Sequence, residues 1–345
     1  MSALYRAVNW NRQKFIYDGL LVGFVAGYLA LFVGLTLTRD PNATAETAMI
    51  RGLGTAAFLL LTIILAIGPL ARLSPAFLPI LYNRRHLGVT MALLALAHAT
   101  FALVQFHALG DTNPFVSLLT GAADIRHART FPFELAGLLA LGILILMAAT
   151  SHDFWLATLT APVWKALHML VYVAYGLVVV HLAFGSLQEE AGPPARIVIL
   201  LCALTVAALH VLSGRRERTL DRKEAHPDGE GWVEVARVRD IPEGRARVAT
   251  VGGERVAVFR YEGRVSCVSS VCQHQNGPLG EGRIVDGCIT CPWHGYQYSP
   301  DSGRSPPPFT EMIPTFNVRI LEGRVFVYRT PNPPGTRVEP ARITP

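Results

Sequence analysis

Charge is scarce in this sequence: Asp, Glu, Lys and Arg make up 16% of 345 residues, against 51% hydrophobic residues and a mean hydropathy of +0.34. So thin a polar complement excludes an ordinary soluble enzyme, while the length allows two domains. Other absences narrow the reading further. No G-x-G-x-x-G follows a candidate strand, so a nicotinamide- or flavin-binding domain is not expected. No basic stripe interleaves with aromatics, so a nucleic-acid partner is not expected either. The C-terminal third lacks the two-His-one-carboxylate set that would hold a mononuclear iron. No acid–base pair or nucleophile stands out, no catalytic residue is assigned, and no repeat of fixed period is visible. Cysteines number five, and three of them bear on structure more than chemistry: Cys202, Cys267 and Cys288.

What is present is apolar and unevenly spread. Before Ser213 the chain has six runs almost free of charge, Gly19–Leu37, Gly52–Ala71, Leu87–Leu109, Leu135–Thr150, Trp164–Phe184 and Ile197–Leu212. Most approach or exceed the roughly 18–20 residues that cross a bilayer's hydrocarbon core, so six transmembrane helices are expected over 18–212. Residues 1–17, with Tyr5, Trp10 and Tyr17, read as a cytoplasmic interfacial segment, not as a cleaved leader. Counted on alternate sides, Lys and Arg number twelve on the side of the termini and five on the other. The positive-inside rule then places both termini in the cytoplasm, with a bacterial inner membrane as the expected site. The formal charge of +6 is therefore a topology signal.

After the sixth run the composition changes. Residues 213–231, "SGRRERTLDRKEAHPDGEG", are charged and without apolar period, and read as a polar linker. Residues 232–330 alternate short β-rich runs with the turns "VGGE", "YEGR", "VDGC" and "LEGR", which specifies a small all-β domain. Residues 331–345 read as a Pro-rich tail. The fold class is thus α plus all-β: a six-helix membrane bundle followed by a β domain.

Into the β domain fall "SVCQHQNGPL" (270–279) and "CPWHGYQY" (291–298), offering Cys272, His274, Cys291 and His294. Two sulfurs and two imidazoles suit a tetrahedral zinc ion. They equally suit a [2Fe-2S] centre in which two Cys hold one iron and two His the other, each loop delivering one of each. The Cys-x-His and Cys-x-x-His-Gly pair, with "GPL" and "HGYQY" behind it, resembles the Rieske family over roughly Trp232–Tyr328. The resemblance is to ferredoxin-type members: Gly277, Trp293 and Tyr296 stand where quinol-oxidising relatives carry a loop disulfide and a Ser. It implies a cluster without a disulfide brace, Tyr298 within reach of a cluster sulfur, and a potential in the lower or middle part of the range of about −150 to +300 mV.

The membrane half offers histidines, which inside a bilayer are functional candidates by default. His98 lies in the third run; His168 and His181 lie thirteen residues apart in the fifth, about 20 Å along a helix axis. "RRHLGVTMALLALAHATF" and "TSHDFWLATLTAPVWKALHMLVYVAYGLVVVH" resemble the ferric-reductase-like transmembrane domain, in particular the heme-binding membrane subunit of the periplasmic methionine sulfoxide reductase system. The resemblance implies one or two b-type hemes on His98, His168 and His181. Taking Arg85 and Trp164 as the cytoplasmic surface, His98 lies thirteen residues deep, His181 seventeen and His168 four, which pairs His98 with His181. For His168 the candidate partner is His86, which could instead be an interfacial residue beside Arg84 and Arg85.

Together the halves predict an oxidoreductase component, ferric- or quinone-reductase-like and not self-contained. It would relay single electrons between a cytoplasmic cluster and heme in the bilayer, with a soluble reductase or other complex subunits, and quinone, as expected partners. The alternative is a docking or structural subunit of a larger complex.

Overall fold

The computed structural model describes residues 12–77, 80, 84–120, 131–151, 155, 159, 161–188, 193–222, 230–273, 277–292, 295–307 and 309–343. The chain divides into two compact units, one of residues 8–69 and 83–210, the other of residues 1–7, 70–82 and 211–345.

The first unit is helical. In chain order the helices are α1 (Arg12–Arg39), α2 (Ala45–Leu73), α3 (Arg84–His107), α4 (Pro114–Thr120), α5 (Phe133–Ala149), α6 (Ala161–Met169), α7 (Val171–Gln188) and α8 (Pro193–Arg222). Among the described residues five spans are long and apolar enough to cross a membrane: Phe15–Arg39, Ala45–Leu73, Arg84–His107, Ala166–Gly185 and Ala195–Thr219. The fourth expected span forms a shorter apolar helix, the 17 residues of α5. The fifth is interrupted at Leu170, where α6 gives way to α7.

Burial follows the composition. α2 carries most of the buried residues of the bundle, Ile50, Leu53, Ala57, Phe58, Leu61, Ile64 and Leu65 among them, whereas α1 leaves Phe15, Leu20, Val22, Phe24 and Leu31 exposed. So much exposed apolar surface on long helices suits lipid, not water. Inside the bundle, hydroxyls clasp neighbouring helices: Tyr28 donates to Thr55 at 2.8 Å, and Thr62 and Tyr175 meet at 3.3 Å. Such polar contacts matter in a bilayer because lipid supplies no hydrophobic drive between helices. α5 packs along α7, burying Ala136, Ala140 and Leu144, one face at four-residue spacing.

The second unit is the β domain with the ends of α2 and α8. Its strands are β1 (Trp232–Arg237), β2 (Ala246–Val251), β3 (Glu254–Tyr261), β4 (Arg264–Ser269), β5 (Arg283–Val285), β6 (Cys288–Thr290), β7 (Gln297–Tyr298), β8 (Thr315–Phe316), β9 (Val318–Leu321), β10 (Arg324–Tyr328) and β11 (Ala341–Arg342). They form three antiparallel sheets: β1-β10-β9, β11-β4-β3-β2 with β8 on β4, and β5-β6-β7. The expected turns close the hairpins. Glu262-Gly263, Asp286-Gly287 and Glu322-Gly323 all hold positive φ at both central positions, which matches strand twist and explains the Gly at each second place.

Strand β3 alternates between two cores. Val256 and Val258 face one with Val233, Phe316 and Val327, while Ala257, Phe259 and Tyr261 face another with Leu279, Ile289, Tyr298 and Ile313. The second core is the floor of the candidate site.

Two boundaries differ from the sequence reading. Helix α8 runs on to Arg222, so the first ten residues of the polar linker are helical; Arg and Glu are good helix formers, and apolar periodicity is not needed at a solvated end. The Pro-rich tail is part of the β domain. Asn332 N–H donates to Thr315 O, Val338 N–H to Asp301 O and Ile343 N–H to Gly263 O, and β11 pairs with β4.

Candidate functional site

The cluster-type motif lies on two loops at the end of the β5-β6-β7 sheet. The first loop leaves β4, and a bridge between Val271 and Pro278 pinches it shut. Cys272 N–H donates to Gly277 O at 2.9 Å across this loop. The second loop joins β6 to β7, where Cys291 N–H donates to Tyr296 O and Gly295 N–H returns to Cys291 O. Gly295 sits at φ +72°, the left-handed conformation that a tight return requires. His274 and His294 lie outside the described residues, as does Trp293.

Cys272 and Cys291 belong to the same buried core, each 1% exposed. None of the five cysteines is in a disulfide. Two thiols buried in one core, each at the base of a loop closed by its own backbone bonds, are suited to a soft metal centre. Cys288 is half-buried on β6, across from Val285, and burial raises its thiol pKa.

Tyr298 ties the loops together. Its ring is fully buried; its oxygen accepts from Gln273 N–H at 3.0 Å and lies 3.4 Å from Cys272 Sγ. Because that oxygen already accepts from the amide, the phenolic proton is left to point at sulfur. Burial, then the neighbouring Cys272, raise the Tyr298 pKa far above its ordinary value, which keeps the phenol a donor. Behind it Tyr296 donates to Glu311 and packs on Phe309 at 4.8 Å between ring centres. Tyr298→Phe is expected to lower the midpoint potential of a bound cluster by roughly 20–65 mV. That range comes from about 0.5–1.5 kcal/mol per hydrogen bond and about 59 mV per tenfold for a one-electron couple. Redox titration of the cluster's EPR signal reads it, and an unchanged midpoint would mean that the hydroxyl does not serve the cluster.

A charged lattice braces the first loop from below. Glu281, three residues past Pro278, meets Arg72 at the end of α2 at 3.4 Å, and Arg255 pairs with Glu217 on α8. Arg255 O also accepts from Ser270 N–H, just before Cys272. Burial raises the Glu281 carboxyl above its ordinary range, and Arg72 pulls it back. Sequence reasoning missed this lattice, because its four members come from four separate segments.

In the helical unit, His98 on α3 and His181 on α7 come together with ring centres 6.2 Å apart and planes at 77°. His98 Nδ1 is 2.9 Å from Ile50 O, and His181 Nδ1 is 2.9 Å from Phe133 O. A carbonyl only accepts, so each Nδ1 carries a proton, and in the neutral ring each Nε2 keeps its lone pair. An imidazole bound through one nitrogen puts its ring centre roughly 3 Å from a metal, so two opposed rings stand roughly 6 Å apart. The observed separation fits one metal between them.

The other candidates are placed elsewhere. His168 stacks on Trp164 at 3.6 Å, with Nδ1 3.0 Å from Trp164 O and Nε2 3.5 Å from Ser151 Oγ. His86 Nδ1 is 2.7 Å from Asp18 Oδ1. These are different partners, and the pairing of His86 with His168 is not among the contacts described. His107 meets Ser117 and Glu134.

The comparisons with known proteins divide along the same line. The family described as Rieske [2Fe-2S] domain matches residues 231–317, and the ferric reductase like transmembrane component matches residues 42–179. The ferredoxin component of the alkene monooxygenase system of Xanthobacter autotrophicus is 30% identical over 115 residues, 33% of this chain and 94% of that protein. The ferredoxin component of the naphthalene 1,2-dioxygenase system of Pseudomonas aeruginosa is 29% identical over 28% of this chain and 95% of its own length. A cholesterol 7-desaturase of Ciona intestinalis is 30% identical over 44% of this chain, but the match spans 30% of that larger protein. The β unit corresponds to nearly the whole of the small ferredoxins and to a part of the desaturase. The chain belongs to the Rieske [2Fe-2S] family, with its Rieske domain fused to a ferric-reductase-like transmembrane component.

Proposed function

We propose that the protein is a membrane electron-transfer component that relays single electrons between a Rieske cluster and b-type heme within a six-span bundle. Cys272 and Cys291 would hold one iron of the cluster, and His274 and His294 the other. His98 and His181 would hold one heme, and His168, with His86 as its candidate partner, a second one. The cluster and heme supply the one-electron chemistry; the chain binds, insulates and orients them. Tyr298 donates toward a cluster sulfur, and the apolar faces of α2, α3, α5 and α7 keep water from the histidine pair.

The observation that carries this reading is the pair His98 and His181, with ring centres 6.2 Å apart in an apolar bundle, in a chain that also carries a Rieske domain. Two soft thiols and two Nε2 lone pairs are the donor sets these groups need. The small relatives are ferredoxin components of oxygenase systems, which supports a role as one component of a redox system and not a self-contained enzyme. Positive charge on the side of the termini supports a cytoplasmic cluster, a cytoplasmic reductase as partner, and an acceptor at the outer face or in the quinone pool of a bacterial inner membrane.

The test is spectroscopic. Protein purified in detergent is expected to show a low-spin b-heme spectrum and, when reduced, the EPR signal of a Rieske cluster. In liposomes, reductant supplied on the cluster side is expected to reduce the heme. A well-folded chain without heme would leave only the reading as a docking subunit, and zinc without iron would end the Rieske assignment of the ligands.

A further inference from the structure

The two histidines of the central pair are held by the same device, built twice. Each Nδ1 bonds a backbone carbonyl 48 residues earlier in the chain, Ile50 for His98 and Phe133 for His181. Four residues after each carbonyl, one turn along the same helix, is a glycine: Gly54 on α2 and Gly137 on α5. A Cβ at Gly54 would stand 2.9 Å from His98 Nδ1, and one at Gly137 2.8 Å from His181 Nδ1. Both glycines lie 44 residues before their histidine. The two helix pairs, α2 with α3 and α5 with α7, thus repeat one arrangement of carbonyl, glycine and ring. The surrounding residues do not repeat, which is why no periodicity is visible in the sequence.

Resting on the proposed heme site, we infer that Gly54 and Gly137 are paired positioning residues that fix the orientation of its two axial imidazoles. The glycine lets the helix backbone touch the ring, and the carbonyl one turn before it fixes the protonated nitrogen. Neither contact alone sets the ring plane; together they leave it no free rotation. The same device from two sides gives planes 77° apart. An alanine methyl at either site must push the ring by about half an ångström to reach ordinary van der Waals distance, which breaks the bond to the carbonyl and tilts the Nε2 axis. Other glycines on these helices meet no histidine: Gly52 and Gly185 face Phe32 and Phe133, and nothing lies within 4 Å of a Cβ at Gly88 on α3 or Gly142 on α5.

The experiment compares ferric EPR spectra and carbon monoxide binding by the reduced form for the wild type, Gly54→Ala, Gly137→Ala, Gly88→Ala and Gly142→Ala, each as the full chain in detergent. The wild type is expected to give the strongly anisotropic low-spin signal of near-perpendicular imidazoles and to bind no carbon monoxide. Gly54→Ala and Gly137→Ala are expected to shift or lose that signal and to bind carbon monoxide, while Gly88→Ala and Gly142→Ala match the wild type. Wild-type spectra from Gly54→Ala and Gly137→Ala with heme present would overturn the inference and leave the heme reading intact. A wild-type signal of parallel imidazoles would overturn it without any variant, and a wild type devoid of heme would overturn both.

Discussion

Replacing Cys272 with serine is expected to abolish the iron–sulfur cluster while leaving the heme spectrum of the membrane half unchanged. Acid-labile sulfide should fall to background, and the EPR signal of the reduced cluster should vanish. A hydroxyl is a hard, poorly ionised ligand where a soft thiolate is needed, and the buried site gives it no water to compensate, since Cys272 is 1% exposed. Cys291→Ser is expected to give the same result, because in the proposed ligation each sulfur would complete the coordination of the same iron. Cys288→Ser is the control. It lies three residues before Cys291, at a spacing that invites a zinc reading, yet it sits on β6 opposite Val285, so the cluster is expected to survive. Heme should persist because its proposed ligands belong to the other compact unit. Cluster loss from Cys288→Ser with retention in Cys272→Ser would reverse the ligand assignment.

Much of this was legible in the sequence, for identifiable reasons. The hairpins of the β domain were, because a two-residue turn with positive φ at both places needs residues such as Glu-Gly or Asp-Gly, and "YEGR", "VDGC" and "LEGR" supply them. The proximity of the His98 and His181 rings was also legible, since depth along a helix is a residue count. The interruption at Leu170 was not, because the run from Trp164 to Phe184 is apolar on both sides of the break. Nor was the docking of residues 331–343, whose prolines hide a strand partner; that segment is held by N–H groups of Asn332, Val338 and Ile343 scattered among them. The lattice of Arg72, Glu281, Glu217 and Arg255 joins charges from distant segments, and no local pattern marks such a meeting. Gly54 and Gly137 carry no local signal, because the ring that a Cβ at each would meet lies 44 residues further along the chain.

The second large effect is expected at the histidine pair. His98→Ala and His181→Ala should each remove the same low-spin heme signal, and the double variant should lose no more than either alone, because two ligands of one centre act as a unit and their losses do not add. Deleting the His181 ring also leaves Phe133 O without its donor and opens space beside Gly137. With one imidazole gone, low-spin character should be lost even where heme is retained. His168→Ala separates the two readings of the bundle. Its ring stacks on Trp164 and reaches Ser151, away from the His98–His181 pair, so its loss should leave the first heme intact. If the bundle carries two hemes, heme content in His168→Ala should drop by about half while the anisotropic ferric signal stays. If it carries one, heme content and the signal should both match the wild type. Loss of the His98–His181 signal from His168→Ala would contradict the pairing, since the His168 ring contacts Trp164 and Ser151 and, among the described residues, no bond described joins it to His98 or His181.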